Sequence, residues 1–293
     1  MKIKDKLGIL FNSPDVYNFY KNIFPYLKIP FEIVVICKSE NESKEVINLA
    51  NEKNLQYILL EDVLKQNFKY QYLLSHHPCE LYKQLKDIAV FNVRYIYGLG
   101  IEKWHYSDWN KYYDIILCFG PYQAERLMIF ENSMKIQIGY PRYDSFFNHN
   151  FGYMELLKKY NCKSDKKTIL WLPTVGPMAS IESYAESISN LTDDYNVIVK
   201  PHPHSFTYEK EKTDLLEKYP FNYIVKETSD ISELFFISNF ALCDYGGTAF
   251  GAIYTDKNLL LLNDNEREKD VLYSDDSADV FIRKEILNIE PEN

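Results

Sequence analysis

Short, continuous apolar runs separated by longer amphipathic segments constrain this chain more than any other feature. In the first half they are "LGILF" (7–11), "FEIVVIC" (31–37), "QYILL" (56–60), "YQYLLSH" (70–76), "IAVFNVRYI" (88–96) and "DIILCFG" (114–120). Runs of this kind are buried on both faces, as strands of a parallel sheet are, and the segments between them then serve as crossover helices. Ser13 and Pro14 form an N-cap and first-turn pair opening a helix through "DVYNFYKNIF". A polar helix is expected at 40–53 and another through "CELYKQLKD". The first half therefore reads as a doubly wound α/β unit.

Beyond Asn150 the pattern restarts. Strands are expected at 167–173, 195–203, 221–226, 240–244 and 258–263, and helices at about 179–190 and 208–218. Asp230 and Glu233 have capping-box spacing for a further helix in "SDISELFFIS". The polar stretch "HNFGYMELLKKYNCKSDKK" is taken as the linker. A chain of 293 residues has room for two domains. The fold class is α/β, with two Rossmann-like domains, 1–150 and 151–293, facing each other across a cleft. Ligands of such sheets bind outside the carboxyl ends of the strands, where the unusual residue clusters fall.

Composition excludes several functions. A net charge of −9 argues against a general nucleic-acid binder, which needs a basic surface to displace counterions. The 25 tyrosines offer rings for stacking on sugars or bases, or reflect compositional bias. Five scattered cysteines, Cys37, Cys79, Cys118, Cys162 and Cys243, contain no C-x-x-C pair; Cys37, Cys118 and Cys243 end or follow apolar runs as buried thiols do, which fits a reducing, cytoplasmic compartment. No run approaches the ~20 apolar residues of a membrane span, so the protein is expected to be soluble or peripheral to a membrane.

Three clusters carry chemistry. In "FALCDYGGTAFGAIY", Asp244 ends a strand, Gly246 and Gly247 permit close backbone approach, and Thr248 begins a helix. Free amides at a helix start, with the Thr248 hydroxyl, suit a phosphate; a bare strand-to-helix turn would use glycine equally. In "VIVKPHPHSF", Lys200, His202 and His204 follow a strand, with two prolines stiffening the backbone. They suit neutralising an anion and protonating its leaving group; zinc is the competing chemistry, without clustered Cys or carboxylate partners. In "GYPRYDSFF", Arg142 either pairs with an anion or makes a structural ion pair. His76, His77, Glu102, Lys103 and His105 lie at or near first-domain strand ends. P-loop, G-x-S-x-G and D-x-D sequences are absent, and "SDDSAD" (274–279) reads as a solvated acidic loop.

Taken in order, "GYPRYDSF", "KTILWLPT", "VIVKPHPH" and "SDISELFFISNFALCDYGGTAFGAIYTDKNLLLLN" resemble the CDP-glycerol glycerophosphotransferase family, chiefly over 139–263. Its members build teichoic-acid-like and capsular polymers on a GT-B fold. The family pattern K-P-H-P reads here as Lys200 to Pro203, and D-Y-S-S-x-x-F-D as Asp244 to Gly251. Two departures stand out. The serine pair is Gly246 and Gly247, as in the D-x-G-G of UDP-N-acetylglucosamine 2-epimerases. The family's His-Gly, taken as carrying the acceptor base, is Tyr97-Gly98, with His105, His77 and Glu102 as substitutes.

The resemblance implies transfer of glycerol phosphate, or a related alditol phosphate, from a CDP-activated donor to a hydroxyl of a cell-surface glycan or lipid-linked glycan, releasing CMP. It places the catalytic work on Lys200, His202, His105 and Tyr97. Substrate binding falls to Arg142, Thr174, His204, Asp244, Gly246, Gly247 and Thr248, with cytidine near "LPTVGP" (172–177). The N-terminal domain would take the acceptor and the C-terminal domain the donor. No metal or cofactor is required, and the enzyme would work in the cytoplasm, at the inner face of the membrane. Two alternatives remain: a GT-B glycosyltransferase or epimerase using a nucleotide sugar, and a non-catalytic nucleotide-binding homologue.

Overall fold

The computed structural model describes residues 2–36, 39–76, 85–98, 105–176, 178–226, 229–244 and 246–262. The chain forms two compact units, one of residues 1–97 and 106–142, the other of 98–105 and 143–293.

The first unit holds a seven-stranded parallel sheet: β1 (Lys2–Phe11), β2 (Phe31–Val35), β3 (Tyr57–Leu59), β4 (Phe68–Ser75), β5 (Ala89–Tyr95), β6 (Ile115–Cys118) and β7 (Met134–Gln137). Their order is β3-β2-β1-β4-β5-β6-β7. Apolar side chains leave both sheet faces: Ile9, Ile33 and Val93 into one core, Leu10, Val34 and Ile116 into the other. That two-sided burial is why the runs show no polar alternation. Ser13 precedes only a 3-10 turn (Pro14–Val16) and the short helix α1 (Tyr17–Tyr20), with no side-chain cap bond. The 40–53 expectation appears as α2 (Glu40–Glu52), opened by a capping box between Ser39 and Glu42. Of the helix expected through "CELYKQLKD", the described part is Leu85–Ile88.

The second unit has a five-stranded parallel sheet: β8 (Thr168–Leu172), β9 (Asn196–Val199), β10 (Tyr223–Ile224), β11 (Phe240–Cys243) and β12 (Asn258–Leu261). The order is β10-β9-β8-β11-β12, with central β8 buried throughout. This is the expected α/β class, with both sheets parallel.

Several details differ from the sequence reading. The units divide after Arg142, ahead of residue 150, because buried Tyr143 packs on Phe235 of the second unit. The stretch taken as linker holds a helix, Tyr153–Lys159, that buries Leu156 and Leu157. Asp230 caps the helix Ile231–Ile237 by accepting from the Ser232 amide. Glu233 accepts instead from Lys159 Nζ at 2.5 Å and the Tyr160 hydroxyl at 3.0 Å, so a tertiary partner has taken the group the capping box needed. The helix expected at 208–218 is two helices, Pro203–Tyr208 and Lys210–Leu216, broken at Glu209.

Candidate functional site

In each sheet the strand order reverses once, between β1 and β4 and between β8 and β11. At such a point neighbouring crossovers leave to opposite faces and open a crevice above the carboxyl ends. In the second unit that crevice is bounded by the loop after β8 and the turn after β11. The loop is tied down by Asp244, 1% exposed at the end of β11. Its Oδ2 accepts both the Thr174 amide, at 2.7 Å, and the Ser180 amide, at 2.9 Å. Amide donors to a carboxylate are strong hydrogen bonds, so one side chain closes both feet of the loop. Trp171 Nε1 also donates to Ser180 Oγ at 2.9 Å. Asp244, expected among the substrate ligands, thus has a structural duty that orients Thr174.

The turn after β11 enters an eight-residue helix, Gly247–Tyr254. Its N-cap, Gly246, is extended (φ −171°, ψ −178°) and offers no side chain to the first-turn amides. Those amides and the positive end of the helix suit an anion. Thr174 Oγ1 lies 3.9 Å from where a Cβ on Gly246 would stand, so its hydroxyl adjoins the turn. Thr248 turns its hydroxyl to Cys243, leaving its amide as the group available to a ligand. Burial pushes the Cys243 thiol far up and the neighbouring Asp244 charge pushes it further, against the Thr248 hydrogen bond. Cys243 is therefore a protonated core thiol.

Beyond β9 the chain continues beside β8: the Lys200 amide donates to the Trp171 carbonyl at 2.8 Å and the His202 amide to the Pro173 carbonyl at 3.1 Å. This holds Lys200 half-buried and His202 exposed at the same sheet edge as Thr174. His202 caps the following helix, its Nδ1 accepting the His204 amide at 3.1 Å. In this arrangement the ring proton of the neutral form of His202 sits on Nε2. His204 is exposed, with its ring 5.1 Å from that of His202 and 5.4 Å from that of Tyr208.

Gly251 ends the Asp244-to-Gly251 motif, and packing explains it. A Cβ there would collide with the Tyr143 hydroxyl and stand 3.0 Å from Tyr143 Cζ and 3.1 Å from Phe235 Cε2. The motif "GYPRYDSF" thereby supplies the second unit with a buried tyrosine as well as supplying the first with Arg142.

In the first unit, Phe19 collects the strand-end residues. Tyr97 stacks on it at 4.9 Å, His76 lies at 5.3 Å, and the Arg142 guanidinium lies 4.9 Å from its ring centroid. The Arg142 and Pro141 carbonyls accept from Asn22 Nδ2 at 3.2 and 2.8 Å, and the Tyr140 hydroxyl donates to the Tyr97 carbonyl at 3.2 Å. A guanidinium over a ring face is held there by a cation–π attraction. His105 is buried and belongs with the second unit, so the structure does not bring it into one unit with Tyr97. His77, Glu102, Lys103 and Tyr245 lie outside the described residues.

The second unit thus gathers Thr174, Lys200, His202, His204, Asp244, Gly246, Gly247 and Thr248 around three adjacent strand ends, while Tyr97 and Arg142 meet in the first. Sequence reasoning missed Ser180, Glu209 and Lys212, which hold the loop after β8, and Phe19, around which the first-unit cluster forms. Only the break at Glu209, an acid between two short helical patterns, left a trace. Among the described residues no group of three or more His, Cys, Asp or Glu side chains could hold a metal ion. No helix among them is long and apolar enough to cross a membrane.

A family model described as CDP-Glycerol:Poly(glycerophosphate) glycerophosphotransferase matches residues 124–273, which include every loop of the second-unit site. No curated protein sequence matches the chain. Among solved structures, the wall teichoic acid polymerase TagF is similar over 91% of this chain and 72% of its own, with 16% identity and a TM-score of 0.61. A UDP-GlcNAc 2-epimerase from Neisseria meningitidis, bound to UDP-GlcNAc, is similar over 92% of this chain and 84% of its own (13% identity, TM-score 0.57). So is a putative UDP-N-acetylglucosamine 2-epimerase from Listeria monocytogenes, over 90% and 80% (13% identity, TM-score 0.58). At these identities the likeness is one of fold, the GT-B type of α/β architecture.

Proposed function

Because this chain belongs to the CDP-glycerol:poly(glycerophosphate) glycerophosphotransferase family, we propose that it moves glycerol phosphate, or a related alditol phosphate, from a CDP-activated donor to a hydroxyl of a cell-surface glycan or lipid-linked glycan. The observation that carries this reading is the meeting of Thr174, Lys200, His202 and the Gly246–Thr248 turn at three adjacent strand ends of one sheet. They form an anion site with donors of three kinds: a hydroxyl, a cation with an imidazole N–H, and amides at a helix start.

In the proposed reaction the acceptor oxygen attacks the distal phosphorus of the donor. A new P–O bond forms, the bond from that phosphorus to the bridging oxygen breaks, and CMP leaves with the bonding pair. The negative charge that builds on the bridging oxygen is met by Lys200 and by the Nε2–H of His202. Prepositioned donors of this sort give a phosphoryl-transfer enzyme most of its rate. The acceptor proton passes to a base that stands in for the family's histidine, His105, His77 or Glu102, and Arg142 with the Phe19 cluster takes part in acceptor recognition. Such a donor places the reaction in the cytoplasm, at the inner face of the membrane where a lipid-linked acceptor is met.

Thermal stabilisation by CDP-glycerol, CDP, CMP, UDP and UDP-sugars tests the reading, with His202→Ala and Thr174→Ala beside the wild type. Selective stabilisation by cytidine nucleotides, weakened in both variants, is the expected result. The double glycine and the epimerase-like fold favour one second reading, a nucleotide-sugar enzyme. Preference for uridine nucleotides would select it, and no response to any nucleotide would defeat both. Cytidine binding without transfer to any glycan would leave a non-catalytic homologue.

A further inference from the structure

The loop after β8 is held at its feet by Asp244, and its tip is held separately. Gly176, at the tip, has φ +87°, a left-handed conformation that glycine adopts without strain. Both of its backbone polar groups bond to one ion pair from the next crossover, the carbonyl also accepting the Ala179 amide at 3.1 Å. The Gly176 amide donates to Glu209 Oε1 at 3.0 Å, and Lys212 Nζ donates to the Gly176 carbonyl at 3.0 Å. Lys212 Nζ and Glu209 Oε1 are 2.7 Å apart, with side chains only 16% and 15% exposed. Glu209 Oε2 also accepts from Ser205 Oγ at 3.2 Å, and Glu182 Oε2 stands 3.8 Å from Lys212 Nζ.

We propose that Glu209 and Lys212 form a latch that positions the loop carrying Thr174 for the donor nucleotide. Glu209 is suited to this because it interrupts the helical run after His202: through Ser205 it grips the helix that His202 caps, and through Gly176 it grips the loop. One carboxylate therefore sets the loop after β8 relative to the segment after β9, the two elements bearing Thr174 and His202. These are positioning residues, acting through the groups they hold. Charge-assisted bonds with low exposure keep their strength, whereas the same pair in open solvent would contribute little.

The latch rests on the donor-binding reading above, and the experiment separates the two. Dissociation constants for CMP and CDP-glycerol are measured by calorimetry for wild type, Glu209→Gln, Glu209→Ala and Lys212→Met, with Glu32→Gln in the first unit as a stability control. Hydrogen exchange at the Gly176 amide is followed in the unliganded proteins. If the loop keeps its binding conformation only a tenth of the time without the latch, apparent affinity falls about tenfold. That loss is expected for Glu209→Ala and Lys212→Met, with a smaller one for Glu209→Gln, which retains an acceptor for the Gly176 amide. Gly176 exchange should quicken in the same order, and Glu32→Gln should leave both readouts unchanged. Nucleotide binding that is equal in wild type and latch variants overturns the latch and leaves the functional reading standing. Failure of the wild type to bind any cytidine nucleotide overturns the functional reading, and the positioning role with it.

Discussion

Gly251→Ala opposes two effects of known size. Helix propensity favours alanine over glycine in a helix interior by about 1 kcal/mol, so an open site would gain stability. At this site the added methyl meets the Tyr143 hydroxyl, with Tyr143 Cζ at 3.0 Å and Phe235 Cε2 at 3.1 Å. Neither ring has room to retreat, since Tyr143 and Phe235 are 1% and 0% exposed and Tyr143 also packs on Tyr254 at 5.7 Å. Overpacking of a tight core costs about 1–3 kcal/mol, and a contact this close belongs at the upper end. Subtracting the propensity gain leaves a net loss of about 2 kcal/mol, or a fall in Tm of roughly 3 °C if the whole chain unfolds as one. The assay is thermal and urea denaturation of wild type, Gly251→Ala, Tyr143→Phe and the double variant. Removing the hydroxyl leaves Cζ as the nearest ring atom of residue 143, so the alanine penalty should shrink by about 1 kcal/mol in the Tyr143→Phe background. A rise in Tm for Gly251→Ala on its own would refute the packing argument.

Three further outcomes follow from the geometry. Asp244→Ala leaves the Thr174 and Ser180 amides without their carboxylate and should cost about 1–3 kcal/mol in denaturant unfolding, with a loss of nucleotide stabilisation. Gly246→Ser places its Cβ no nearer than 3.9 Å to Thr174 Oγ1 and adds an N-cap oxygen, so the unfolding free energy should rise by about a few tenths of a kcal/mol, read as a small rise in Tm. Glu32 is pushed up by burial, but hydrogen bonds from Lys4 and Tyr70 and the charges of Lys4 and Lys6 outweigh this and hold its carboxyl below the usual value of 4.5. Its stabilisation is therefore complete above the unfolded pKa and lost as pH falls through the lower folded one. The Tm gap between wild type and Glu32→Gln should be open at pH 6 and close at more acid pH; a gap independent of pH would sink the assignment.

Strand identity, parallel pairing and the division into two sheets were legible because burial on both faces writes continuous apolar runs into a chain, a local signal that needs no knowledge of partners. "FALC", "TILWL" and "FEIVV" stand in the structure where their composition placed them. The candidate motifs could be placed at strand ends for a related reason: Pro201, Pro203, Gly246 and Gly247 are backbone punctuation just after apolar runs. Other properties depend on groups far apart in sequence. Asp244 closes a loop 70 and 64 residues before it, Glu209 reaches back 33 residues to Gly176, and Glu233 leaves its expected cap to meet Lys159, 74 residues away. A carboxylate bonds whichever donor the fold brings within reach, and spacing along the chain does not encode that distance. Sequence alone thus determined which segments are strands; tertiary structure decided which acid holds which amide, because those bonds exist only after the strands have paired.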